Sequence, residues 1–140
     1  MRKWVYGILG ILMLLLTACS KSDENRDVIP NDIIGWWKLD HYNITALDAN
    51  SLDTLNSYNY TEHFKFVLNA DGTAQNYGDN QIYHYTITKD SFIYEGIKSA
   101  IEVRTPSFML VCQTFPIHYS DKYKRDFYEE KRFYFVKMDE

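Results

Sequence analysis

Four histidines, His41, His63, His84 and His118, are the side chains best suited to proton transfer or metal ligation near neutral pH, and their spacing supports neither. No two stand at i, i+2 or i, i+4. The sequence carries no His-Glu-x-x-His, Gly-x-Ser-x-Gly or Cys-x-x-Cys motif and no glycine-rich loop that would cradle a phosphate. Carboxylates occur as adjacent pairs, Asp23-Glu24 and Glu129-Glu130, which read as solvated faces. A pair working together in hydrolysis would have to be assembled from distant strands. Neither an enzyme, nor a metal site, nor a cofactor is expected.

The chain has two cysteines with different surroundings. Cys112 follows Met109-Leu110-Val111, a setting for a buried, inert thiol that packs as a small hydrophobe. Cys19 closes Leu16-Thr17-Ala18-Cys19 at the end of an apolar run, Trp4 to Leu16, that follows Arg2 and Lys3. This is the layout of a secretory signal, and the run falls short of the roughly 20 apolar residues that span a bilayer. The four residues resemble the bacterial lipobox, in which a signal peptidase cuts before a cysteine already bearing a diacylglyceryl group. The resemblance implies a signal peptide over residues 1–18, lipidation of Cys19, and a membrane contact made through that anchor. One acyl chain holds a protein to a membrane only marginally, so stable anchoring takes a second. Residues 19–31 are polar and broken by Pro30, as a flexible tether would be. Within them Lys21-Ser22-Asp23-Glu24 is similar to the lysine-and-acid signal of surface-exported Bacteroidetes lipoproteins, and equally reads as an ordinary linker. The expected location is the cell envelope, lipid-anchored at the outer membrane, on either face.

Removal of residues 1–18 takes away two positive charges and no acid, so the formal net charge moves from −4 to −6. A mildly acidic chain without a basic stripe excludes a nucleic-acid partner and a polybasic membrane surface. Residues 32–140 suffice for one domain and are too few for two. Twelve tyrosines and eight phenylalanines, with glycine and proline between short segments, favour strands. Gly35, Trp37 and Leu39 alternate with Trp36, Lys38 and Asp40, and Tyr83, Tyr85 and Ile87 alternate with His84, Thr86 and Thr88. Asn69-Ala70-Asp71-Gly72 supplies a tight hairpin between strands over 60–68 and 73–77. Further strands are expected over 92–95, 100–105, 108–115 and 131–138, about eight in all. Residues 43–57 lack strand character and read as a long loop with at most one helical turn.

Ile34-Gly35-Trp36-Trp37-Lys38-Leu39, Phe66-Val67-Leu68-Asn69-Ala70-Asp71-Gly72-Thr73 and Arg132-Phe133-Tyr134-Phe135-Val136-Lys137 together resemble the small lipocalin-like lipoproteins of Bacteroidetes. The resemblance spans most of residues 32–140 and implies an antiparallel up-and-down, lipocalin-like β-barrel with Gly35 and Trp37 closing one end. It also implies a basic side chain packed over that tryptophan, for which Arg132 is the candidate. Eight strands enclose room for side chains alone or for one small ligand. Two functions follow: a barrel that binds a small hydrophobic or amphipathic ligand through Trp37, Phe64, Phe66, Tyr83 and Tyr85, or a filled barrel whose outer surface engages an envelope protein. Residues 43–57 and 118–126 would be the contact loops of the second. Asp53-Thr54-Leu55 resembles the O-glycan acceptor of exported Bacteroidetes proteins, which implies glycosylation at Thr54.

Overall fold

A computed structural model describes residues 28–139. The expected signal peptide over 1–18, the lipidation of Cys19 and the tether up to residue 27 lie outside the described residues. One turn of 3₁₀ helix, Asn31–Ile33, leads into ten strands: β1 (Gly35–Asp48), β2 (Thr54–Tyr60), β3 (Phe64–Leu68), β4 (Thr73–Asn76), β5 (Tyr83–Ile87), β6 (Ser91–Tyr94), β7 (Ile97–Thr105), β8 (Phe108–Thr114), β9 (His118–Ser120) and β10 (Arg125–Lys137). Ile29, within the expected tether, packs against the core, so the folded unit begins earlier than Asp32.

All the strands pair antiparallel in one sheet ordered β2-β1-β3-β4-β5-β6-β7-β8-β10-β9. Because β1 also pairs with β10, the hydrogen bonding of β1, β3 to β8 and β10 runs in a ring of eight strands. Burial follows the alternation read from the sequence: Trp37, Leu39, Tyr85 and Ile87 are buried, while Lys38, Asp40, His84 and Thr86 are exposed. The inward set, joined by Phe66, Leu68, Phe92, Met109, Val111 and Phe135, is one continuous core. The hairpin at Asp71-Gly72 forms as expected. Gly72 takes φ +84°, and the Asp71 carboxylate accepts from the Thr73 amide at 2.9 Å.

Residues 43–57 are not a loop. β1 continues to Asp48, turns at residues 49–53, and returns as β2, with Tyr42 opposite Tyr60 and Ile44 opposite Tyr58. The reason lies elsewhere in the chain, since β10 starts at Arg125 and pairs with β1 out to Asp48 opposite Phe127. Strand propensity depends on cross-strand partners, and Asn43, Ala46 and Asp48 are weak strand formers only when read alone. Residues 118–126 form a hairpin, β9 and the start of β10 joined by a turn at residues 121–124. β2 and β9 flank the outer halves of β1 and β10, making a four-stranded extension beyond the ring.

Asp48 holds the tip of this extension. Its Oδ1 accepts from the Asn50 and Ser51 amides at 2.8 and 3.0 Å, and its Oδ2 accepts from Arg125 Nη1 at 3.0 Å. The Ser51 and Asn50 amides, with the Arg125 guanidinium, hold the Asp48 carboxyl down at about 2, against an ordinary 3.8. A depressed folded-state value means that the unfolded chain takes up the proton first as pH falls. The contribution to stability is therefore complete above about pH 4 and is lost as pH falls through about 2. Thermal melts should show Asp48→Asn less stable than the parent near neutral pH, with the gap narrowing across that window. A gap that stayed constant down to the lowest pH would refute the assignment.

Candidate functional site

The ring has one plugged end. Ile33 of the 3₁₀ turn is fully buried with Trp37, Leu68 and Met109, and the Trp37 indole Nε1 donates to the Ile33 carbonyl at 2.8 Å. The basic side chain over Trp37 is Lys137, with Nζ 5.8 Å from the ring centroid and donating to the Asp32 carbonyl at 2.6 Å. Arg132, the residue expected there, instead pairs with Glu102 and Glu130. Register explains the exchange: Lys137 stands opposite Trp37, whereas Arg132 stands opposite Asn43, five residues back on the other face. Gly35 sits at φ +130°, where a Cβ would come within 3.2 Å of Lys137 Cε, so a glycine there lets the lysine cross. Arg104 adds a 2.8 Å ion pair to Asp32.

The other end holds a cavity of about 160 Å³ lined by Phe64, Phe66, Phe92, Tyr94, Ile97, Ser99, Val111, Gln113, Phe133 and Phe135. Ile97, 60% exposed, stands on its rim. Polar groups are few: Gln113 Nε2 donates to Ser99 Oγ at 3.2 Å, and the Tyr94 hydroxyl donates to Asn76 Oδ1 at 2.6 Å. Burial pushes the Tyr94 phenol up to about 12, so at neutral pH it is a neutral donor. Of the five residues expected to bind a ligand, Phe64 and Phe66 line this cavity. Trp37 and Tyr85 are buried in the core and outside its lining, Tyr85 with its hydroxyl on the Asn69 carbonyl at 2.7 Å. Tyr83 stacks behind Tyr94 at 5.8 Å and donates to Asp79, bracing the wall rather than forming it. Tryptophan fluorescence is thus poorly placed to report on the cavity.

An aromatic strip continues outward from the cavity along the four-stranded extension. Phe135 and Phe133 stack at 6.0 Å, Phe133 meets Tyr42 at 5.7 Å, and Tyr42 stacks on Tyr60 at 5.0 Å. Lys131 lies over this strip, with Nζ 4.9 Å from the Tyr42 centroid and 5.4 Å from that of Phe133. With residues 43–57 read as a loop between Tyr42 and the strand expected from Tyr60, the sequence showed no sign that Tyr42 and Tyr60 stand opposite each other, and the strip was missed. The signal available was the inward parity of Lys131, Phe133 and Phe135.

The remaining candidates are dispersed. Cys112 is buried, and burial pushes its thiol up, away from nucleophile chemistry. Among the described residues no group of three or more His, Cys, Asp or Glu side chains is arranged to hold a metal ion. Thr54 is exposed at the start of β2, beside the turn. Among the described residues no helix is long and apolar enough to cross a membrane. No protein-family model, no curated protein and no solved structure matches the chain.

Proposed function

We propose that this chain is a lipid-anchored lipoprotein of the bacterial cell envelope, held through Cys19, whose ring of strands is a lipocalin-like barrel that binds a small hydrophobic or amphipathic molecule without catalysis. The observation that carries the reading is the cavity of about 160 Å³ at the unplugged end, walled by five phenylalanines. Dry cavities near 150 Å³ accommodate a benzene-sized group. The volume therefore fits one ring or a short alkyl end, with the rest of the ligand lying outside over the strip. Gly35, Trp37 and Lys137 at the plugged end support the lipocalin-like reading.

Titration with decanol, followed by methyl NMR of Ile97 and Val111, tests it. Saturable shifts at both, with the methyls of Leu68 and Met109 unmoved, are expected. Absence of any saturable shift would defeat the reading.

A second reading, a module that engages an envelope protein, draws on the four-stranded extension. Its edge strands β2 and β9 each pair on one side only among the described residues, and Tyr58, Tyr60 and Tyr119 are exposed there. Unpaired strand edges are templates for an added strand.

A further inference from the structure

Among the described residues, Lys131 is the one charged side chain held over the strip that leads out of the cavity. It stands directly opposite Gln113, which lines the cavity, and directly opposite Ile44 on its other side. Residues opposite one another in an antiparallel pair share a face, with Cβ atoms about 5 Å apart. Phe133, two residues along on the same face, is part of the cavity wall. The ammonium is therefore at the mouth, level with Gln113 at the edge of the lining. It rests on the faces of Tyr42 and Phe133 and makes no ion pair among the described residues. Arg125 and Arg132, by contrast, are each committed to a carboxylate. Glu129 is the next residue outward on the inner face and is not within ion-pair distance of Lys131.

Resting on the cavity reading above, we propose that the site selects an amphiphile with an anionic head, its apolar end among the phenylalanines and its head on Lys131. The aromatic faces hold the ammonium in place before the ligand arrives, which reduces the ordering cost of binding. The chain as a whole is acidic, so the general field opposes an anion. At physiological ionic strength that field is screened beyond about 8 Å, and the cation at contact decides. The gain at a half-wet mouth is modest, in the range of a few-fold in affinity.

The test compares decanoate with decanol near neutral pH and low salt, using the Ile97 and Val111 methyl shifts. Decanoate is expected to bind about fivefold more tightly, with the preference shrinking at high salt. Lys131→Met keeps an apolar stem over Tyr42 and removes the charge. It should abolish the preference for decanoate over decanol. Equal affinities in the parent, or a preference that survives in Lys131→Met, would overturn the assignment with the cavity reading intact. Failure of both molecules to bind would overturn the cavity reading itself.

Discussion

Replacing Trp37 with alanine is expected to destabilise the fold by about 3–5 kcal/mol, a large share of the roughly 5–15 kcal/mol that holds a domain together. The side chain is fully buried, and its loss leaves a void beside Ile33, Leu68 and Met109 that the surroundings relax to fill only in part. It also strips the Ile33 carbonyl of its indole donor, and a hydrogen bond of this kind is worth about 1 kcal/mol net. Lys137 loses the ring face beneath its ammonium. Because the 3₁₀ turn carries Ile33 and the Asp32 groups that Lys137 and Arg104 grip, the plug should loosen as a unit. Equilibrium denaturation gives the size of the effect, and Trp37→Phe separates the hydrogen bond from the packing, since it keeps most of the apolar volume. A loss under about 1 kcal/mol for the alanine variant would mean that the plug contributes little to the ring.

What could be read in the chain beforehand was parity. The two-residue period assigned Trp37, Leu39, Tyr85 and Ile87 inward correctly, and Asp71-Gly72 declared its turn through local chemistry alone. Depth along the ring was not legible. Trp37, Tyr85 and Phe66 all point inward, yet only Phe66 lines the cavity, because depth depends on strand register rather than on the period. Register also explains Lys137. It shares parity with Phe133 and Phe135, as Arg132 does not, so parity alone could have favoured it, but its place opposite Trp37 needed the pairing of β1 with β10. The extension was hidden for a related reason. Each of its strands is unremarkable in isolation, and Ile44, Ala46 and Asp48 become strand residues because Lys131, Glu129 and Phe127 stand across from them.

Filling the cavity should separate binding from stability in the sense opposite to Trp37→Ala. Ser99 is 4% exposed, lies in the lining, and holds only the Gln113 amide. Ser99→Leu places an apolar branch in that space, and Gln113, half-buried at the mouth, can turn to water. Decanol affinity is expected to fall at least tenfold, which corresponds to about 1.4 kcal/mol. The melting temperature should hold or rise, because occupying an apolar void recovers part of the cost of leaving it empty. Ser99→Val, with less bulk, guards against overpacking and should give an intermediate loss of affinity. Trp37 stands opposite Phe66, which lines the cavity, so in Trp37→Ala the dominant effect should be the loss of stability, with decanol affinity of the folded fraction changed less than in Ser99→Leu. Undiminished decanol binding in a well-folded Ser99→Leu would place the ligand elsewhere and return the weight of the argument to the exposed edges of β2 and β9.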